Sequence, residues 1–492
     1  MTISNSCNSD DSHGYDSDFP EMQGYNQNKR FDPRKIAGRM ARLLECFYTA
    51  EKKPIILVKD NGYIDLHDLD SLDAKHIISG EYSKITRRTM TKTDFENIRT
   101  YLTDIAYQNE RIETFCRVCR RDDTIFIDLC DSGHNVVKIT ADGWDVIRNE
   151  EIFFTRTERM LPLPIPERDG SFDGIRRIIN TANEDNFVML VGFIVSIFNT
   201  RGNMPMLLVS GEQGTGKSSA MRYIKRIVDP NVIELQGMPA SKEEPFFMLR
   251  QHWLVGYDNV SNITPMVSDS LCRLTSGVST VKKKLYTDGD EYSVSLKRPV
   301  MLNGIGLSMF RGDAASRCMM VELSPIEKAD RKTEEELDEI FRIEHPKIFG
   351  AICNAISAAL REKNYRPECE SRLADVERFI KQAEHGGGFP WEEGTFSTVF
   401  DKKSNDMQMD ILANDVVAKV IMQMIEDGIF DNGKVYVRDI VVRINTEYRK
   451  EYGDRYVSTQ IDRIAPLLRE HNVSVRKARN SKGVEVIVEK IV

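Results

Sequence analysis

The segment that most constrains the fold of this chain is a glycine-rich stretch, Gly211 to Ser218, between two runs of different periodicity. Met206 to Val209 is an apolar run typical of a buried strand, and Ser219 to Val228 has the spacing of a helix. A strand, a loop of the form G-x-x-x-x-G-K-S and a helix follow one another in the order that a phosphate-binding loop requires. A chance match on a glycine-rich turn would lack these two neighbours. The segment therefore predicts an α/β fold that binds a nucleoside triphosphate.

The residue types of this loop have distinct chemical roles. The glycines let successive backbone N–H groups close around a β-phosphate at a helix N-terminus, whose partial positive charge favours an anion. Lys217 is expected to bridge the β- and γ-phosphates, and the Ser218 hydroxyl to bind Mg²⁺. ATP and Mg²⁺ are therefore the predicted ligands. The predicted nucleotide-binding residues are Gly211, Glu212, Gln213, Gly214, Thr215, Gly216, Lys217, Ser218 and Ser219.

A second strand supplies the carboxylate that such a loop needs for its magnesium ion. The run from His252 to Tyr257 is largely apolar and leads directly into Asp258. A catalytic base would usually follow, but the next residue is Asn259, whose amide can orient water and cannot accept its proton. Either another carboxylate such as Glu243 or Glu244 acts as the base, or hydrolysis is slow.

Two further polar residues stand next to predicted strands. Asn303 follows the apolar run Pro299 to Leu302 and is expected on a strand between the two phosphate-site strands, where it would contact the γ-phosphate or the attacking water. A turn-forming Asn is the alternative. Arg317 precedes another strand and would reach the nucleotide of a neighbouring subunit, with Arg311 as the other candidate and a surface salt bridge as the simpler explanation. The predicted catalytic set is Lys217, Asp258, Asn303 and Arg317.

Composition limits the classes of protein to which the chain belongs. Its 492 residues are 41% hydrophobic and 29% charged, which is typical of a soluble globular protein of about three domains. The net charge of −8 argues against coating of nucleic acid by the whole surface. The longest apolar run, Phe187 to Phe198, is too short for a membrane span and predicts a buried helix. The N-terminus lacks the features of a signal peptide, so we expect a cytoplasmic protein without a membrane segment.

Boundaries between domains are predicted from changes in composition. The first residues are rich in Ser, Asn, Asp and Gly, three prolines punctuate Leu161 to Pro166, and three glycines follow one another at Gly386 to Gly388. We therefore divide the chain into a disordered tail over residues 1–30, a small α+β domain over 31–166, the nucleotide-binding domain over 167–388, a linker over 389–406 and a winged-helix-like domain over 407–492.

The N-terminal domain carries several weaker signals. A helix is predicted from Arg34 to Thr49, and a hairpin around Asn61-Gly62. The nearby carboxylates permit a two-metal site, although turns also gather Asp; these are Asp65, Asp68 and Asp70. Three cysteines permit part of a zinc knuckle that lacks a second close pair, or small core residues; these are Cys116, Cys119 and Cys130.

The C-terminal region reads as helix, short strand, two helices and two strands, which is the order of a winged helix. From Lys434 to Val492 there are 13 Lys and Arg against 8 Asp and Glu, in a chain that is acidic overall. This region is therefore the most plausible place for nucleic acid to bind. The predicted DNA contacts around the wing are Arg476, Lys477, Arg479 and Lys482.

Taken together, the Gly211–Ser218 loop, the pair Asp258-Asn259, Asn303 and Arg317 resemble the superfamily 3 type of AAA+ helicase, particularly the ATPase half of phage, plasmid and poxvirus primase-helicases. The resemblance covers residues 170–385 and is most specific over 271–286, 297–305 and 311–317, which are similar to the replicative ATPases of bacterial mobile elements. Asn259 departs from it, since an acidic residue is usual there. The resemblance implies an AAA+ P-loop NTPase core of the α/β class.

The resemblance also implies a function and an assembly. It implies a homo-hexameric ring that binds single-stranded or forked DNA and unwinds it during replication of a mobile genetic element, with ATP hydrolysed between subunits. A hairpin would present Lys282, Lys283 and Lys284 to DNA, although its tip at residues 288–290 is acidic. The alternatives are an AAA+ regulatory or defence-type ATPase that switches a partner without unwinding DNA, and an initiator in which ATP only drives assembly.

Overall fold

The structure, a computed structural model, describes residues 33–60, 63–238, 251–260, 263, 265–283, 291–304, 312–430, 434–449 and 451–490. The predicted tail, the Asn61-Gly62 turn, Glu243, Glu244, Lys284 and Arg311 lie outside these ranges. No helix in the described ranges is long and apolar enough to cross a membrane.

The first described unit combines a four-stranded sheet with three helices. Its elements are α1 (Pro33–Leu43), β1 (Glu45–Thr49), β2 (Pro54–Asp60), β3 (Tyr63–Asp68), α2 (Leu72–Thr86), α3 (Lys92–Gln108) and β4 (Arg111–Ile112), with the strand order β3-β2-β1-β4. The helix predicted from Arg34 to Thr49 is wrong in its second half. Residues 45–49 contain two aromatic residues and end in a β-branched one, and they pair with β2 and β4 instead of continuing α1.

A second sheet is an antiparallel meander of β5 (Val118–Arg121), β6 (Thr124–Asp128), β7 (Asn135–Thr140) and β8 (Gly143–Arg148). Its apolar face shares one hydrophobic core with the long helix Glu334–Arg361. The Trp144 ring N–H donates to Asn354 Oδ1 at 2.8 Å, and the Ser357 hydroxyl donates to Thr140 O. Leu163, inside the proline-rich segment, is buried in the same core. Packing therefore continues across the boundary predicted at residue 166.

A parallel sheet forms the centre of the chain. The elements of this region are α4 (Asp173–Ile178), α5 (Glu184–Ser196), β9 (Met206–Ser210), α6 (Lys217–Val228), β10 (Val255–Val260), α7 (Pro265–Ser276), β11 (Val278–Lys283), β12 (Glu291–Leu296), β13 (Val300–Gly304), α8 (Gly312–Ala315) and β14 (Cys318–Glu322). The described strands of this sheet lie in the order β10-β13-β9-β14 and are parallel. β11 and β12 form a separate hairpin, of which only the backbone is described.

Four helices follow the sheet: α9 (Glu334–Arg361), α10 (Ala374–His385), α11 (Thr395–Asn414) and α12 (Val416–Glu426). The linker predicted over residues 389–406 is wrong from Thr395 onward, because α11 occupies that segment. Its apolar residues are buried at helical spacing, at Phe396, Val399, Phe400, Met407 and Ile411. The predicted buried helix at Phe187 is confirmed, since α5 is buried from Asn186 to Ser196.

The last unit contains β15 (Val435–Tyr436), α13 (Val437–Tyr448), α14 (Asp454–Glu470), β16 (Val473–Asn480) and β17 (Gly483–Lys490), with the strand order β15-β17-β16. This is the element order that the sequence predicts. Its buried residues form one cluster with α11, α12 and one face of the central sheet. The unit is therefore packed on the rest of the chain, through a core that includes Tyr257, Leu302 and Ile461.

Candidate nucleotide-binding site

The glycine-rich loop joins the carboxyl end of β9 to the start of α6. Gly211 has φ +140° and Gly216 has φ +76°, which are conformations that L side chains rarely adopt. A Cβ added to Gly211 would lie 2.9 Å from both Leu323 O and Thr215 Oγ1. The loop is therefore closed tightly against the segment after β14, and glycine is required where it turns.

Lys217 is the first residue of α6, and its side chain turns back over the loop. Its Nζ donates to the backbone oxygens of Gly211 at 2.8 Å and Glu212 at 2.7 Å. The two bonded groups are neutral carbonyls of the loop, so the charge of Lys217 adds to the positive potential at the N-terminus of α6. This arrangement suits an anionic ligand.

Three polar side chains meet at the carboxyl edge of the parallel sheet. The Ser218 hydroxyl donates to Asp258 Oδ1 at 2.8 Å. Asn303 Nδ2 donates to the same oxygen at 2.7 Å and lies 3.4 Å from Ser218 Oγ. The reason is topological: β13 lies between β10 and β9, so Asn303 stands between the strand that ends near Asp258 and the loop that follows β9.

Asn303 also holds the backbone that follows Asp258. Its Oδ1 accepts from the Asn259 N–H at 2.6 Å, so one amide group binds both the carboxylate and the next peptide. Asn259 has φ +54°, and the register of β10 against β13 shifts between Tyr257 and Val260. Asn tolerates left-handed backbone better than most side chains. The backbone therefore gives a physical reason for Asn at position 259.

The donor set fits a magnesium ion bound together with phosphates. The described part of the chain contains no group of three or more His, Cys, Asp and Glu side chains that could hold a metal by themselves. A phosphate-loop site does not need one, because phosphates and water supply most oxygen ligands of Mg²⁺. Ser218 and Asp258 provide one hydroxyl and one carboxylate, oxygen donors of the kind that Mg²⁺ takes.

A contact that sequence reasoning missed braces the other side of the loop. Asn180 Nδ2 donates to Thr215 O at 3.3 Å and to Ser324 O at 2.5 Å, and Asn180 O accepts from the Ser324 N–H. Ile326 Cδ1 lies 3.5 Å from where a Cβ of Gly216 would be. These residues are far from the loop in sequence, and no local pattern marks them.

Arg317 lies near the amino ends of the parallel strands, whereas the glycine loop follows the carboxyl end of β9. Its backbone oxygen accepts from the Met206 N–H at 2.9 Å, and Cys318 pairs with Met206 at the amino end of β9. The glycine loop begins after the carboxyl end of β9, about 13 Å away at the usual strand rise. Arg317 therefore lies away from the loop of its own chain.

The predicted DNA-binding residues have different surroundings. Lys282 and Lys283 lie on β11, where only the backbone is described, and Lys284 lies outside the described residues. Lys477 was predicted to contact DNA, but its Nζ binds Ser458 O, Ser458 Oγ and Asp462, all within 2.8 Å. The other wing residues are exposed: Arg476 pairs with Glu489 at 2.5 Å, and Arg479 and Lys482 lie beside the β16–β17 turn.

The alternative metal sites of the N-terminal region have their side chains engaged. Asp65 binds His67 at 3.0 Å, Asp68 binds Lys53 at 2.8 Å and Asp70 binds Arg99 at 2.6 Å. Cys116 and Cys119 are buried, and desolvation raises the pKa of the Cys119 thiol to about 12. These groups are accounted for by local ion pairs and core packing.

Comparison with known proteins adds one family. Residues 172–400, just under half of the chain, match the family model of actinomycete integrative conjugative element replication proteins. No curated protein matches the chain significantly. The matched region contains the glycine loop, Asp258, Asn303 and Arg317, so the central part of the chain is similar to a replication protein of mobile elements.

Solved structures give weaker similarity. An apo structure of the NrS-1 C-terminal region is 10% identical, with 94% of this chain and 100% of that chain covered and a TM-score of 0.41. A structure of JCV helicase with a bound small molecule is 12% identical, with 46% of this chain and 66% of that chain covered and a TM-score of 0.21. Values this low carry no argument about function.

Proposed function

We propose that the chain is an ATP-hydrolysing motor that forms a ring on DNA and unwinds it during replication of a mobile genetic element. One observation carries the proposal: Lys217, Ser218, Asp258 and Asn303 converge at the carboxyl edge of a parallel sheet, beside a closed glycine loop. The match of residues 172–400 to a replication-protein family supports the link to mobile elements.

Each residue of the site has a role that its contacts support. When bound, Mg·ATP supplies the phosphoanhydride and the metal charge that lowers the barrier to phosphoryl transfer to water. Backbone N–H groups of the loop and Lys217 would bind the phosphate oxygens, while Ser218 and Asp258 would hold the metal. Asn303 orients Asp258 and, through its contact with the Asn259 N–H, the chain beyond it. These contacts suit the site to bind the phosphates and to position the metal-binding carboxylate.

The position after Asp258 predicts slow hydrolysis in the absence of a partner. Asn259 carries an amide in place of a carboxylate, so it can orient the attacking water but cannot take its proton. Its φ of +54° also means that a longer acidic side chain there would require strained backbone. We therefore expect low basal turnover that rises when DNA binds.

In a ring, the neighbouring subunit would supply an arginine to the site, and Arg317 is the candidate among the described residues. Arg317 lies at the edge of the sheet opposite the loop, from which it would reach the nucleotide of the next subunit and stabilise the charge of the transferred group. Mixing Arg317→Ala subunits with Lys217→Ala subunits should restore part of the activity, because each type supplies the half-site that the other lacks. No recovery in subunits shown to co-assemble would exclude this role.

The direct test of unwinding is strand displacement from forked DNA. We expect displacement with ATP and Mg²⁺, and none with a non-hydrolysable analogue or with Lys217→Ala. The regulatory ATPase is the second candidate, and the internal bonding of Arg476 and Lys477 favours it because fewer wing cations are left for phosphate. ATP hydrolysis without any displacement or DNA stimulation would favour that alternative.

A further inference from the structure

A buried ionic cluster lies at the end of α6 that is remote from the glycine loop. It consists of Asp229, Lys225, Arg117 and His252, and we call it the Asp229 cluster. Asp229 and Arg117 are both 0% exposed. Lys225 Nζ donates to Asp229 Oδ2 at 2.5 Å and lies 3.2 Å from His252 Nδ1, and Arg117 Nε donates to Asp229 Oδ1 at 3.2 Å. The proposed phosphate chemistry uses none of these residues.

Asp229 joins the end of α6 to the start of β10. Its Oδ2 accepts the backbone N–H groups of Trp253 at 2.7 Å and Leu254 at 3.1 Å, which are the two residues before β10. Lys225, on the last turn of α6, donates to Leu254 O at 2.5 Å. A carboxylate and an ammonium group thus bind three backbone groups of a single dipeptide.

The Asp229 cluster also contacts the segment before β13, which carries Asn303, and the antiparallel sheet that begins with β5. Arg298, just before β13, donates to His252 O at 3.0 Å. Arg117, just before β5, donates to Asp128 O, Leu161 O and Pro230 O. The amino ends of β10 and β13 and the carboxyl end of α6 are therefore held by one connected set of contacts.

The same three elements carry the site at their other ends. α6 begins with Lys217 and Ser218, β10 leads to Asp258, and Asn303 lies near the end of β13. A helix of this length spans about 18 Å, so the Asp229 cluster is too distant to touch a ligand in the loop. It can affect a ligand only indirectly, and its bonds to β10 suit it to fix how far α6 is shifted along the strands.

Burying charged groups in such a cluster lowers the stability of the fold unless every charge is paired and hydrogen-bonded. Burial would raise the pKa of Asp229, but the charges of Lys225 and Arg117 outweigh it and lower the pKa to about 2. Burial and the nearby Lys225 lower the pKa of His252 to about 4, so its ring is neutral at pH 7. Hydrophobic residues of similar volume often stabilise a core at least as well as buried ion pairs do. Stability alone is therefore a weak reason for charges at this place.

We propose that Asp229 is a positioning residue for the magnesium site. By binding the N–H groups of Trp253 and Leu254 from the end of α6, it sets the register of α6 against β10 and thereby the separation of Ser218 and Asp258 at their other ends. This inference rests on the proposed function, because it concerns the same Mg·ATP site.

The test compares Asp229→Asn with Asp128→Asn in the full chain. Asp128 is a matched control: it is also 0% exposed, and its side chain binds an arginine and one backbone N–H, those of Arg156 and Cys130. Both variants should unfold at lower temperature. Only Asp229→Asn should raise the Mg²⁺ concentration for half-maximal ATP hydrolysis, by about tenfold, which lies within the range typical of altered coupling between distant sites. Binding of a fluorescent ATP analogue without Mg²⁺ should change by less than about twofold, because the loop is intact.

The outcomes separate this inference from the proposed function. A wild-type chain without Mg²⁺-dependent nucleotide binding would overturn both. Wild-type binding with an unchanged Mg²⁺ requirement in folded Asp229→Asn, or an equal shift in Asp128→Asn, would overturn the inference alone. If Asp229→Asn does not fold, Lys225→Met replaces it, because it removes the ammonium group that ties α6 to Leu254 O and holds Asp229 Oδ2, while Asp229 keeps Arg117 as a charge partner. That variant should shift the Mg²⁺ requirement in the same direction, and an unchanged requirement would overturn the inference.

Discussion

The glycine loop and the C-terminal unit differ in how far the polar residues predicted from the sequence are available to bind a ligand. At the loop, Lys217 binds only carbonyl oxygens and Asp258 binds only a hydroxyl and an amide among the described residues. At the wing, Lys477 is bonded to Asp462 and Ser458, and Arg476 to Glu489.

The difference shows what each kind of sequence signal contains. A phosphate-loop motif specifies a backbone path as well as side chains, so it predicts where the charges lie relative to one another. A count of basic residues specifies no geometry, and nearby acids neutralise part of it. Substitutions at the loop should therefore have larger effects than substitutions at the wing.

The largest effect is expected for Lys217→Ala. The variant removes the cation inside the loop and should reduce ATP hydrolysis by at least about a hundredfold, as loss of a single charge-stabilising donor does elsewhere. Its melting temperature should stay near the wild-type value, because the substitution removes only two hydrogen bonds at the surface of the loop. Steady-state hydrolysis and thermal melting measure both. Turnover near the wild-type rate would contradict the assignment of Lys217 to the nucleotide-binding site.

Asn303→Ala should have the next largest effect. It removes the amide that binds Asp258 Oδ1 and the Asn259 N–H, so the carboxylate loses its orientation while the loop stays intact. We expect the rate at saturating Mg·ATP to fall by about ten- to a hundredfold. Asn303→Ser, which keeps one hydrogen-bonding group, is the matched variant and should lose less. Equal rates in both variants and in the wild type would show that the Asn303 side chain has no role in hydrolysis.

A smaller effect is expected at Asn259, where the backbone conformation determines which substitutions are tolerated. Asn259→Gly should fold as stably as the wild type, because glycine adopts φ +54° without strain. Asn259→Val should lower the free energy of unfolding by about 1–2 kcal/mol, because a β-branched residue at positive φ is strained. Denaturant unfolding of the two variants is the measurement. Equal stability of Gly and Val would show that the positive φ has no role.

The smallest effect is expected at the wing. Arg479→Ala with Lys482→Ala should reduce the salt dependence of DNA binding by about 0.7–0.9 log–log units for each phosphate that the protein no longer neutralises. Lys477→Ala should leave that slope unchanged and instead lower the melting temperature, because the substitution removes three internal hydrogen bonds. A reduced slope in Lys477→Ala would show that charge counting was right about this residue.

The sequence was sufficient for features that are local or periodic. The strand, loop and helix around Lys217, the buried helix α5 and the element order of the C-terminal unit are all visible as spacing. It also predicted that β13 lies between the two phosphate-site strands, which the strand order confirms. The helix α11 was missed, because a linker was predicted over 389–406, although Phe396, Val399 and Phe400 have helical spacing.

Other features depend on contacts between distant residues and have no local signal. Asn180 braces the loop across a separation of 35 residues, and Arg117 reaches Asp229 across 112. The strand at residues 45–49 forms because β2 and β4 are there to pair with it. The pairing of Lys477 with Asp462 follows from how β16 packs on α14. Such contacts are properties of the assembled fold.

The measurement that tests the central claim most directly is Mg²⁺-dependent ATP turnover by the wild-type chain as single-stranded DNA is added, with Lys217→Ala as the blank. We expect slow turnover without DNA, because Asn259 cannot accept a proton, and a rise in turnover that saturates as DNA is added. Turnover that stays the same at every DNA concentration would contradict the proposal of a DNA motor. The regulatory ATPase would then be the better proposal. No Mg²⁺-dependent turnover above the Lys217→Ala blank, with or without DNA, would contradict the site itself.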